Sequence, residues 1–203
     1  MARYIQLFTK TMYEDTSIGW RIHIEQNFQP LDEVSIDRYT YGQHLVTGQY
    51  SVAGPLLIGA TFSGGYEAVE PVLVEYAKHM GVVYQIQDDL IGIYTDETES
   101  GKSCGNDLRE GKKTLLVQYA WKFGTPEQKA QLAKILHSDI SEEVLEQARQ
   151  LFADTGAKGM VLQREQDELA FAYEVLEKNR GILNPEIFTY LWEIAEYFVR
   201  RTS

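Results

Sequence analysis

Apolar residues along this chain return every three or four positions through long segments, and turn signals separate those segments rather than short strands. The period predicts helices at roughly 2–28, 32–63, 66–95, 110–123, 126–137, 141–155, 158–179 and 185–201. Local signals punctuate them. Thr125-Pro126-Glu127-Gln128 sets a cap, a first-turn proline and a capping-box glutamine in order. Asn184-Pro185-Glu186 and Ser141-Glu142-Glu143 are further starts, with acids where a helix dipole favours them. Gly64-Gly65, Gly124 and Gly156 read as stops, and Pro55 as a kink, because a proline cannot donate the helical bond. No repeat, low-complexity stretch or linker interrupts the pattern, so residues 1–203 read as one all-α domain.

Composition narrows the class. The 203 residues are 44% hydrophobic and 24% charged, as in an ordinary globular protein with a sizeable core. No window approaches a membrane span, and Cys104, the lone cysteine, rules out an intrachain disulfide and suits a reducing cytoplasm. A net charge of −11 argues against nucleic acid and against anionic lipid. It is compatible with a diphosphate only if a divalent cation reverses the local field.

One stretch departs from a plain core helix. Gln85-Ile86-Gln87-Asp88-Asp89-Leu90-Ile91-Gly92 places two adjacent carboxylates inside an apolar run. Val82, Val83, Ile86, Leu90, Ile91 and Ile93 leave little solvated face, so these acids need a cation or partners. On a helix Gln85, Asp88 and Gly92 share a face and Asp89 borders it. A polar segment follows, with Gly101-Lys102 and then Gly105-Asn106-Asp107-Leu108-Arg109-Glu110-Gly111-Lys112-Lys113-Thr114. Its glycines let backbone amides approach phosphate. Standing alone, such a loop would be an ordinary charged surface; after a double aspartate it is a candidate anion site.

These motifs resemble the second aspartate-rich region of the trans-prenyl diphosphate synthases, over most of the chain. The resemblance implies a helical bundle of the isoprenoid synthase type. The implied reaction is 1′-4 condensation of an allylic diphosphate with isopentenyl diphosphate, assisted by Mg2+. Residue by residue, it implies that Asp88 is the main metal ligand, with Asp89 and Asp107 supporting it. Lys102, Lys112 and Arg109 would bind diphosphate, while Thr47 and Gln85 would lie near the reacting carbons together with Lys102. The family's first aspartate-rich motif is not among these residues, and Met1-Ala2-Arg3-Tyr4 enters helical periodicity without a cap. The expectation is therefore an N-terminally incomplete bundle from a split gene, a truncated frame or an excised fragment. Its partners would be a homodimer mate, or a complementary subunit carrying the first motif, or both.

Four positions depart from the family pattern. Gly92 stands for a third aspartate, and Val46 for the lysine of a lysine-threonine pair whose threonine is Thr47. In Gly19-Trp20-Arg21-Ile22-His23, Trp20 replaces a glutamine and His23 an aspartate. Losing the lysine removes a charge-assisted contact of about 1.5–3 kcal/mol. The isolated chain is thus expected to be inactive. The rival readings are a non-catalytic modulating subunit, or a terpene cyclase or diphosphate hydrolase on the same fold. His44, His79 and His137 show no metal-ligand spacing, and Trp121 and Trp192 read as packing residues. The ending Val199-Arg200-Arg201 resembles a basic tail that some relatives close over the second substrate, and it equally suits a helix dipole.

Overall fold

The computed structural model describes residues 5, 6, 8–64, 66–95 and 104–201. Among them there are helices and turns and no strand. The principal helices are α1 (Thr16–Phe28), α2 (Ile36–Gln43), α3 (Gly54–Ser63), α4 (Tyr66–Tyr94), α5 (Asn106–Arg109), α6 (Leu115–Phe123), α7 (Pro126–Ile135), α8 (Glu142–Asp154), α9 (Ala157–Lys178) and α10 (Pro185–Arg200). None of the described helices is long and apolar enough to cross a membrane.

The expected starts form as their chemistry dictates. Thr125 accepts from Gln128 N–H, and the Gln128 side chain returns the bond to Thr125 N–H, completing a capping box on α7. Ser141 caps α8 through Val144 N–H, and Asn184 accepts from Glu186 N–H at the start of α10. Three expected spans differ from a single α-helix. The segment read as 32–63 opens with a 3-10 turn at Leu31–Glu33, winds as α2, passes through a π-helix at His44–Ala53 and resumes as α3. Gly54 N–H still reaches Gln49 O, and Pro55 offers no N–H to continue, so the wide winding ends there. The segment read as 110–123 begins only at Leu115, where Thr114 accepts from Val117 N–H, and the one-turn α5 precedes it. The N-terminal segment also winds as a π-helix, over Phe8–Asp15, before α1.

The chain forms two compact units. The first takes Met1–His23, Asp37–Gln85 and Glu165–Arg200. Its core gathers Val52, Leu57, Leu73, Tyr76, Met80, Leu176 and Leu191, each buried. Within this core the Tyr76 hydroxyl donates to Leu191 O at 2.6 Å, which satisfies a phenol that burial would otherwise strand. The second takes Ile24–Ile36, Ile86–Arg164 and Arg201–Ser203. Ile86, Leu108, Leu116, Leu132 and Phe152 fill it, each burial contributing about 1.5–3 kcal/mol against conformational entropy. Trp121 and Trp192 both pack. Trp192 stacks on Tyr173 at 3.9 Å, and Trp121 lies beneath Lys129 and donates to Asp32 Oδ1 at 2.7 Å.

Helix α9 carries acids on its buried stripe. Val161, Glu165, Glu168, Ala172 and Leu176 recur at helical spacing and are all buried. Glu168 Oε2 meets His79 Nδ1 at 2.6 Å, with Glu75 3.4 Å from the other ring nitrogen, so His79 has a structural role. Glu165 Oε1 has no hydrogen-bond partner among the described residues, and burial pushes the carboxyl up to about 7. A carboxyl raised in the folded state stabilises below its unfolded value, and that contribution is lost as pH rises through the folded one. Glu165→Gln should therefore stabilise the chain at pH 8, by about 1–2 kcal/mol, and leave it nearly unchanged at pH 4.5. Urea unfolding at the two pH values measures this, and equal effects at both would remove the assignment.

Candidate active site

Thr47 and Gln85 meet in the first unit because two helices approach backbone to backbone. A Cβ on Gly81 would stand 2.5 Å from Gly48 Cα and collide with Gly48 N as well, so no larger residue fits. Gly48 follows Thr47, and Gly81 lies one turn before Gln85. At that separation Thr47 Oγ1 lies 3.2 Å from Gln85 Oε1 and 3.3 Å from Gln43 Oε1. Thr47 is 4% exposed. The hydroxyl has one proton to donate, so the two amide oxygens compete for it.

In the second unit the aspartate pair divides by burial. Asp88 keeps 32% of its side chain exposed, whereas Asp89 is only 4% exposed. The accessible carboxylate is therefore Asp88. Gly92, one turn on, faces the loop acid: a Cβ there would lie 3.8 Å from Asp107 Oδ2. The space beside the third motif position is thus next to a carboxylate supplied from α5. Gly105 N–H donates to Gly92 O at 2.8 Å and ties this segment to the end of α4, while Lys112 N–H donates to Asp107 O at 2.8 Å within the segment itself. Arg149 Nε donates to Ile93 O at 2.8 Å and satisfies another carbonyl of that last turn.

Lys112 Nζ lies 2.6 Å from Asp107 Oδ1 and 3.1 Å from Glu110 Oε2. Burial alone would depress its pKa, but the hydrogen bond and charge of Asp107, with help from Glu110, raise it above the ordinary value. It remains a cation. Arg109 is exposed on α5 and donates to Asn106 Oδ1 at 2.6 Å. Lys102 lies outside the described residues. Among the described residues no three His, Cys, Asp or Glu side chains form a ready metal cluster. The donors present are hard carboxylate oxygens that can take Mg2+ when a ligand supplies further oxygens.

Two of the departing residues, Val46 and His23, have packing jobs. Val46 rests on Gly19, where a Cβ would come within 2.7 Å of Val46 Cγ2. His23 stacks on Tyr39 at 5.4 Å and presses against Gly42, and burial holds its pKa below the usual imidazole value. A neutral ring therefore stands where the sequence resemblance leads one to expect an aspartate. Trp20 is exposed.

Within each unit, further residues lie beside these groups without having been assigned that place from the sequence. Gln43 lies one turn before Thr47, and that spacing is the signal that could have found it. Lys113 is 5% exposed, donates to Gly111 O at 3.0 Å and has its pKa depressed by burial. His137 adopts a left-handed φ of 65° and lays its ring on Gly111, where any Cβ would collide with it. Arg201 approaches Asp88, with Nη2 3.6 Å from Oδ1. The basic ending at Arg200-Arg201 is visible in the sequence, but its contact with Asp88, like that of His137 with Gly111, leaves no local signature.

The family description polyprenyl synthetase matches residues 2–152. A geranylfarnesyl diphosphate synthase of Aeropyrum pernix is 30% identical over 87% of this chain and 54% of its own length. A geranylgeranyl pyrophosphate synthase of Geoglobus acetivorans is 30% identical over 88% of this chain and 53% of its own. The chain thus spans about half the length of these curated relatives. Among solved structures, a geranylgeranyl pyrophosphate synthase of Corynebacterium glutamicum, complexed with isoprenyl diphosphate and magnesium, superposes with a TM-score of 0.88. That match covers 98% of this chain and 56% of the other at 24% identity, which speaks to the fold alone. With helices and no strand among the described residues, and the aspartate pair and its loop inside the matched span, the chain belongs to the polyprenyl synthetase family.

Proposed function

We propose that this chain supplies the second aspartate-rich motif of a trans-prenyltransferase that condenses an allylic diphosphate with isopentenyl diphosphate. The observation that carries the reading is the accessible Asp88 carboxylate, one turn from Gly92, with the Asp107 carboxylate beside that glycine and Lys112 bonded to Asp107. Asp88 would hold Mg2+, with Asp107 and the buried Asp89 in support. The cation, when bound, offsets negative charge on the leaving diphosphate. Lys112, Lys102 and Arg109 add positive charge from the loop, so Lys112 exchanges Asp107 for phosphate oxygen. The Thr47 hydroxyl and Gln85 amide, bonded to each other, would touch the reacting end of the allylic substrate. The apolar residues around them exclude water, which would otherwise quench the developing cation.

Two observations favour a dependence on a partner or on a second copy. Asp88-Asp89 is the only adjacent aspartate pair in the 203 residues, whereas the reaction calls for two such motifs. Val46 is engaged with Gly19 and the neutral His23 with Tyr39, so neither supplies the charge its family position calls for. The same two observations suit the second reading, a non-catalytic subunit that modulates a complete synthase.

Incubation with radiolabelled isopentenyl diphosphate, farnesyl diphosphate and Mg2+ separates these readings. The 203-residue chain alone should form no labelled product, and adding a segment with the first aspartate-rich motif should yield it. Product from the chain alone would overturn the need for a partner. No product with the complement, together with no Mg2+-dependent binding of diphosphate by calorimetry, would overturn the prenyltransferase reading.

A further inference from the structure

Residue 201 is held twice by neighbouring side chains of α4. Gln87 Nε2 donates to Arg201 O at 2.9 Å, and the Arg201 guanidinium pairs with Asp88 across 3.6 Å. The guanidinium side chain is 8% exposed, against 32% for the carboxylate it faces. A surface arginine would sample many positions; this one is confined beside the most accessible acid of the motif. The backbone bond from Gln87 fixes where that side chain begins.

We infer that Arg201 is the built-in counter-ion of Asp88 in the metal-free chain, so that a divalent cation binding at Asp88 and release of Arg201 are linked. The inference rests on Asp88 being a metal ligand, as proposed above, and concerns the regulation of that site. The physical basis is competition for one carboxylate. At 3.6 Å the pair is beyond good hydrogen-bond range and lacks the two-pronged geometry that makes arginine–carboxylate pairs strong. A hard divalent cation takes carboxylate oxygen at much shorter range and carries twice the charge. Once it is there, the Asp88 oxygens and their charge are committed to the cation, and the guanidinium loses its counter-ion. Linkage runs both ways: whatever holds residue 201 down weakens metal binding by the factor with which metal loosens residue 201. The Gln87 bond makes the competition sharper, because it keeps the guanidinium's local concentration at Asp88 high. The contact thereby keeps the acidic site neutralised until a cation arrives, and then frees a basic side chain next to it.

Binding of Mn2+ alone to the 203-residue chain, followed by electron paramagnetic resonance without any phosphate, tests this. Arg201→Gln should tighten Mn2+ binding about threefold to tenfold, Arg201→Lys should stay near wild type, and Gln87→Ala should tighten it by a smaller factor. Asp88→Asn should abolish binding in every background. Unchanged or weaker Mn2+ binding in Arg201→Gln, with Asp88→Asn still abolishing it, would overturn the counter-ion role and leave the metal assignment standing. Wild-type binding in Asp88→Asn would overturn the metal assignment itself, and the linkage with it. Gln87→Ala leaves both charges in place, so tightening there reports release of residue 201 rather than damage from an altered buried arginine.

Discussion

Asp88→Ala is expected to lower prenyl transfer by the complemented enzyme by at least about 100-fold. The expectation follows from burial and charge. Of the two adjacent acids only Asp88 reaches solvent, and the other nearby carboxylate, Asp107, is already engaged by Lys112. Removing Asp88 leaves a cation at this position to be held by Asp107 and phosphate oxygens alone, and a displaced cation stabilises the charge on the departing diphosphate poorly. Lys112→Ala should cost less, roughly tenfold, because the loop's other cations share that load. Asp88 is partly exposed, yet its loss also strips the counter-ion from the buried Arg201, so a melting curve must accompany the rate, and a folded but silent variant is the informative result. Steady-state turnover at saturating Mg2+ measures the effect. A rate within threefold of wild type would remove Asp88 from the metal site.

What can be read from the sequence follows the range of the forces concerned. Helix period and caps act over three or four residues, so the starts at Thr125, Ser141 and Asn184 are visible in the chain and form as expected. The π-helical windings at Phe8–Asp15 and His44–Ala53 are not visible in that way. They share their apolar period with an α-helix to within a fraction of a residue, and Pro55 marks only where the second one stops. The aspartate pair is conspicuous because acids are costly in an apolar run. Which of the two is accessible depends on tertiary packing, and it took the fold to separate Asp88 from Asp89. Gly92 reads in sequence as a lost ligand. In three dimensions Asp107 stands beside it, a neighbour that no spacing along the chain announces. Val46 and His23 likewise read as missing charges, and the fold adds what they do instead, packing on Gly19 and Tyr39.

Gly81→Ala should destabilise the chain by about 3 kcal/mol or more, a large effect for one added methyl group. Both groups it would strike are backbone atoms of Gly48, which cannot swing aside as a side-chain tip can. The two helices would have to move apart, opening gaps around the buried Ala77, Met80 and Ala53. An alanine inside an unobstructed helix does the opposite, since it restrains the unfolded chain and favours the helical state by roughly 0.5–1 kcal/mol. Gly59 in α3 meets nothing within 4 Å and is the internal control: Gly59→Ala should be neutral or stabilising. The change also bears on chemistry, because Thr47 Oγ1 and Gln85 Oε1 are already 3.2 Å apart and further separation breaks that bond. Urea unfolding of the two variants gives the comparison. A Gly81→Ala chain as stable as wild type would mean that the helices do not approach as closely as Gly48 and Gly81 require. Thr47 and Gln85 would then no longer be held together at the proposed site.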